Sequence, residues 1–449
     1  MERKWLVGFD KQIITPDDWQ SKPYYLAGYG RGIRATGVLD DIYVRSVFLK
    51  DSFGDGGVVL AVIDCVGLCN KDVNEIRASI KKSMCSNSDI SVNVMSTHVH
   101  ASPDTQGLWG KGLRCGINKE HMKNLKTKAV ECIINSINNA KPGDLFFGKV
   151  LTENMIIDNR LPFVHDDHLT RLRFVPDDKS AELYLLNIGC HPELLGDKNT
   201  KISADWPAYC GKAIYEATGA EYAFFNGAIG AITSEGLGEV YDGVLDGEPT
   251  MKAYGKKMGE YALSITEEVL VDVRLSLFNV ERILPVVNKT FALASVLKLV
   301  KNDVIKVDAL DYNKAIKTEV SLLLIGDIKV LLVPGELFPE LAIGGFFTAK
   351  ESSTGYEYKY PTLFDMMGEG EKLIFGLAND EIGYIIPDND FYISKKKPYS
   401  PYAIPNDLHG RKHYEETTCS GPFAAEMMRD AVAQLMDISR SVQVTSIKS

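Results

Sequence analysis

Strand-like and helix-like patterns alternate along the whole 449-residue chain, and no repeat, low-complexity tract or long Gly/Ser/Pro linker divides them. That alternation limits the chain to α/β architecture, and a single domain over 1–449 is expected. Apolar, β-branched and aromatic runs mark strands at Ile42–Leu49, Gly57–Asp64, Ile90–Ser96, Leu145–Val150, Leu183–Ile188, Tyr222–Phe225, Ser321–Ile325 and Val330–Val333. Helices are expected at Lys119–Ala140, where Met122, Leu125, Ala129, Cys132 and Ile133 recur at spacings of three and four, and at Thr250–Val271. The fold class expected is α/β, in an α+β layered form with mixed β-sheets flanked by helices. The stretch 389–410, rich in Pro and Tyr and carrying Lys395, Lys396 and Lys397, reads as a surface insertion, either a lid or a solvated loop.

Sixty acidic against fifty basic residues leave a net charge of −10. Phosphate backbones and anionic lipids repel such a surface, so neither nucleic acid nor a membrane is an expected partner. The first residues, MERKWLVGFDKQ, lack an apolar signal core, and no uncharged apolar run approaches the roughly 20 residues that span a bilayer. A cytoplasmic protein without stable membrane insertion is expected, possible homo-oligomerisation being left open. The eight cysteines form no C-x-x-C pair and are read as reduced, mostly buried thiols.

The strongest chemical signal is Ser96-Thr97-His98-Val99-His100, closing an apolar strand. If the strand continues, residues i and i+2 face the same way, and two imidazoles converge on one ion. The alternative is a pair of hydrogen-bonded structural histidines. His191 sits in a like position, after the strand candidate Leu183–Ile188 and before Pro192. Glu336 follows the apolar run Val330–Val333 and a Pro-Gly turn, either as a ligand or as the opening carboxylate of a helix. His165 and His168, flanking Asp166 and Asp167, are a second metal site or, more simply, a hydrogen-bonded segment. His409 and His413 line the lid or the surface. The acidic stretch 235–248 reads as a loop, since it lacks the order of a calcium loop.

Taken in order, these pieces resemble the neutral/alkaline ceramidases and their N-terminal zinc amidohydrolase domain. Thr97-His98-Val99-His100-Ala101-Ser102-Pro103 resembles that family's T-H-T-H-S-G-P segment. Leu26-Ala27-Gly28-Tyr29-Gly30, Ala35-Thr36-Gly37-Val38, Asn159-Arg160, Ser203-Ala204-Asp205, the run from Phe225 to Thr233, Pro334-Gly335-Glu336, Gly376-Leu377-Ala378-Asn379 with Tyr384, and Tyr414-Glu415 with Gly421-Pro422 resemble further segments in register. The resemblance implies one zinc ion per chain held by His98, His191, Glu336 and Tyr384. It implies His100, Tyr414, Arg160, Thr233 and Asp205 as catalytic residues and Asn159, Glu381 and Gly28 as substrate-binding. Zinc would bring the pKa of water down to about 7. His100, oriented by a carboxylate such as Asp205, would carry the proton to the leaving amine, while Tyr414 or Arg160 stabilised the oxyanion.

The chain also departs from the family. It ends soon after Tyr414, where the ceramide-cleaving members continue into a β-sandwich domain. Ala231 and Thr233 stand where the family has Asp and Ser, and Glu381 replaces the first tyrosine of a Y-x-x-Y pair. Glu381 pointing inward would bind a substrate amine or act as an acid or base; pointing outward it is a solvated charge. The expected activity is therefore zinc-dependent hydrolysis of an amide (N-acyl) or related acyl bond in a small molecule more polar than ceramide. Ceramidase activity proper and a non-catalytic metal- or ligand-binding relic are the alternatives. The metallo-β-lactamase pattern H-x-H-x-D-H is out of register at Asp104, and a barrel amidohydrolase would place H-x-H near its N-terminus, whereas 97 residues precede this one.

Overall fold

The computed structural model describes residues 3–52, 56–84, 89–112, 114–234, 247–297, 301–302, 304–308 and 313–447, with side chains to 442. Two mixed β-sheets lie face to face between helices, matching the expected layered α/β class. Across the larger sheet the strands run Glu221–Asn226, Leu183–Ile188, His168–Pro176, Lys141–Leu151, Trp5–Ile13, Tyr43–Asp51, Gly57–Ile63 and Ile90–Ser96, and Val269–Leu270 pairs with Lys141–Leu151. The outermost pair at each edge is parallel, and the pairs between are antiparallel. The smaller sheet orders Leu275–Pro285, Lys314–Ile325, Ile328–Leu332 and Lys372–Phe375, the last two parallel.

The apolar runs are continuous because both faces of the central strands are buried. In Gly57–Ile63, Val58, Leu60 and Val62 pack with Leu323, Val330, Leu332 and Phe375 of the second sheet. The alternate residues Val59, Ala61 and Ile63 face helices Asn70–Ser83 and Lys119–Asn138. Helices Trp206–Thr218 and Gly247–Ser264 cover the other end of the large sheet, and Ala424–Ile447 covers the small one. Asn187 stitches the sheets together, its Nδ2 donating to Phe225 O at 2.8 Å and Ile374 O at 2.9 Å.

Two sequence expectations need correction. The helix expected to Val271 stops at Ser264, and Val269–Leu270 instead pairs with Phe146 and Phe147. The β-branched, acidic run after Ser264 suits an added edge strand better than another helical turn. The strand Ile90–Ser96 ends at Ser96, so strand alternation is not what brings His98 and His100 together. Most of the acidic stretch 235–248 lies outside the described residues. Among those residues no helix is long and apolar enough to cross a membrane.

Candidate metal centre

The C-terminal ends of strands from both sheets meet at one place. Ile90–Ser96 delivers His98 and His100, Leu183–Ile188 delivers His191, and Ile328–Leu332 delivers Glu336, which pairs in parallel register with Tyr384. Asn226 ties the first two loops together. Its Nδ2 donates to Thr97 O and Cys190 O at 3.0 and 3.1 Å, and its Oδ1 accepts from Cys190 N at 3.0 Å. Asn379 ties in the second sheet, its N–H donating to Val94 O at 2.7 Å and its Oδ1 accepting from Val94 N at 2.9 Å.

His98 adopts φ +66°, a left-handed conformation uncommon outside glycine. Hydrogen bonds from Thr97 N to Ile63 O and from His98 N to Cys65 O, both 3.0 Å, keep it there. His98 Nδ1 meets Val66 O at 2.5 Å, and His191 Nδ1 donates to Ile232 O. Each carbonyl selects the Nδ1–H tautomer and leaves a bare Nε2. Those two Nε2 atoms lie 3.4 and 3.2 Å from the same Glu336 oxygen.

The three histidine rings stand 4.9 to 5.4 Å apart, and among the described residues theirs is the group of His, Cys, Asp or Glu side chains able to hold one ion. Zinc–nitrogen and zinc–oxygen bonds of about 2.0–2.1 Å place tetrahedral ligand atoms roughly 3.3–3.4 Å from one another. The His98–Glu336 and His191–Glu336 separations match that edge, the second being also within hydrogen-bond reach. Two imidazoles whose outer nitrogens are held by carbonyls, with a buried carboxylate between them, are a donor set that fits zinc.

Burial alone would raise the Glu336 carboxyl, but the two imidazoles hold it far below the usual range. Burial lowers His100 below its ordinary value. In His191 burial opposes the charged ring, yet the hydrogen bond to Glu336 turns the net shift upward.

His100 Nδ1 lies 3.4 Å from Glu193 Oε2, beyond a formed hydrogen bond. Gly28 lies against it: with φ +99°, a Cβ there would fall 2.3 Å from His100 Cγ, so only glycine fits. Tyr384 and Tyr414 join their hydroxyls at 3.1 Å, and Tyr414 remains 55% exposed, open to a ligand. Burial raises both phenols, keeping them protonated donors. Asn159 Nδ2 donates to Thr233 Oγ1 at 3.2 Å, on the short ladder whose Ile232 carbonyl holds His191.

Two site residues sit differently from expectation. Asp205 does not touch His100; its carboxylate accepts the backbone N–H groups of Leu194, Leu195 and Trp206 at 3.2, 3.1 and 2.7 Å, fixing the turn that carries Glu193. Arg160 is 1% exposed, and all three guanidinium nitrogens are engaged by Asp390, Glu415 and Glu416 at 2.8 to 3.4 Å. It anchors the root of the 389–410 stretch. Glu381 points inward: Oε1 accepts from Gly383 N at 2.9 Å, while Oε2 is buried without a partner. Burial and the nearby Glu336 charge push its carboxyl well upward.

His168 Nδ1 is hydrogen-bonded to Asp166 at 2.6 Å, and His165 Nδ1 lies 3.1 Å from Asp167 Oδ1. His413 pairs with Asp407 at 2.8 Å, and His409 stacks on Phe347. Sequence reasoning missed Glu193 and Tyr29. A carboxylate two residues beyond a proposed ligand histidine was the available signal.

No family model matches the chain, and no curated protein matches it in sequence. Solved structures do. A ceramidase complexed with C2 superposes with a TM-score of 0.72 at 13% identity, over 98% of this chain and 76% of that one. The neutral ceramidase of Pseudomonas aeruginosa gives 0.70 at 14% identity, over 97% and 75%. The fold is neutral-ceramidase-like. At these identities the likeness carries the architecture, and the chemistry rests on the residues.

Proposed function

We propose that this chain is a zinc-dependent hydrolase of an amide or related acyl bond, acting on a small molecule more polar than ceramide. The observation that carries the reading is the meeting of His98 Nε2 and His191 Nε2 on one Glu336 oxygen, within a ceramidase-like fold. His98, His191 and Glu336 would hold the ion, with Tyr384 completing the set from the neighbouring ladder position. Bound there, zinc supplies Lewis acidity and a water acidified to about pKa 7.

The chain's own groups would do the rest. His100, neutral because burial lowers its pKa, takes the proton of the attacking water and returns it to the leaving group, a step an amide needs. The Tyr414 hydroxyl, exposed yet oriented by Tyr384, donates to the oxygen that gains charge. Asn159 and Thr233 offer amide and hydroxyl contacts beside His191, and the inward Glu381 makes the pocket more polar than a tyrosine would.

Zinc stoichiometry measured together with hydrolysis of a panel of N-acyl compounds tests this. One zinc per chain with turnover of short, polar amides supports the reading. Turnover confined to N-acyl sphingoid bases makes the chain a ceramidase proper. One zinc without hydrolysis makes it a binding relic.

A further inference from the structure

Four contacts converge on Glu193. Its Oε2 lies 3.4 Å from His100 Nδ1. The His100 N–H donates to Pro192 O at 3.1 Å, so the backbone of His100 is joined to the residue just before Glu193. The Tyr29 hydroxyl donates to Glu193 O at 2.6 Å and stands 3.4 Å from Oε2, while its ring meets His100 edge-on at 5.2 Å. Gly196 N closes the turn on Glu193 O at 3.0 Å. Asp205 locks the next two backbone amides. Gly28 lies against the same imidazole, where a Cβ would fall 2.3 Å from Cγ and 2.8 Å from Nδ1.

We infer that Glu193, held by Tyr29 and by the Asp205 turn, is the positioning residue of His100. An acceptor at Nδ1 selects the Nδ1–H tautomer and leaves Nε2 bare, facing the cluster where water is activated. His98 and His191 receive the same service from backbone carbonyls, which accept only. His100 alone receives it from a carboxylate, which also stabilises the imidazolium formed once the proton is taken. At 3.4 Å Nδ1 and Oε2 are not hydrogen-bonded in this structure, the loose geometry common before substrate binds. The catalytic consequence rests on the proposed hydrolysis; the tautomer does not.

Long-range ¹H–¹⁵N correlation on the zinc-free protein reads the His100 tautomer, and steady-state kinetics on the zinc-loaded protein read turnover. Wild type should show Nδ1–H. Glu193→Leu should shift His100 toward Nε2–H and lower kcat about 10–100-fold with KM and zinc content held. Glu193→Gln, which keeps an acceptor, should restore the tautomer and part of kcat. Tyr29→Phe should give a smaller loss of the same sign. Wild-type tautomer and kcat in Glu193→Leu would overturn the inference, as would an Nε2–H tautomer in wild type or zinc lost in step with kcat. A tautomer shift in a protein that hydrolyses no amide would uphold Glu193 and remove the hydrolytic reading.

Discussion

One carboxylate oxygen of Glu336 lies 3.2 Å from His191 Nε2, although the two residues come from different sheets. Without an ion between them this is a weak, buried charged contact; around zinc it is a ligand edge. Glu336 is only 5% exposed, so its charge depends on the neighbouring imidazoles or on a cation.

Removing a ligand should empty the site. His98→Ala and His191→Ala should each lose most bound zinc, whereas His100→Ala should keep it and lose turnover. Metal analysis beside kcat checks this; full zinc in both ligand variants would contradict the assignment.

Tyr414→Phe should lower kcat about 10²–10³-fold if its hydroxyl meets the developing oxyanion. Unchanged kcat would leave that task to another group.

Gly28→Ala would place a methyl 2.3 Å from His100 Cγ at a φ of +99°. The imidazole must move, so kcat should fall on the order of 10²-fold while zinc content holds. Equal losses of both would mean the whole loop had shifted.

Asp380 is buried beside Asn70, and burial pushes its carboxyl from 3.8 to about 7. The folded state therefore binds a proton that the unfolded state releases. This contribution to stability is complete below pH 3.8 and is lost as pH rises through 7. Asp380→Asn, which resembles the protonated acid, should lose less stability than wild type between pH 5 and 8. Denaturation midpoints at the two pH values measure it, and equal losses would contradict it.

What could be read from the sequence follows burial. Gly57–Ile63 and Ile90–Ser96 are legible because neighbours cover them on both sides. Trp5–Ile13 is not, because its second half alternates intermediate and exposed residues, with Asp10, Lys11 and Gln12 interrupting the apolar pattern. His98, His191 and Glu336 stand out because each follows an apolar run and a turn. The turn of the His98 backbone into left-handed space, the Glu336–Tyr384 ladder and the capture of Arg160 by Asp390, Glu415 and Glu416 depend on distant segments that no local pattern announces. Glu193 stayed hidden because its partner His100 lies far away in sequence.

Anomalous diffraction at the zinc edge from crystals of the zinc-loaded protein bears most directly on the central claim. The account requires one peak per chain, bonded to His98 Nε2, His191 Nε2 and Glu336. A peak elsewhere, or ligation by His100 in place of Glu336, would contradict it.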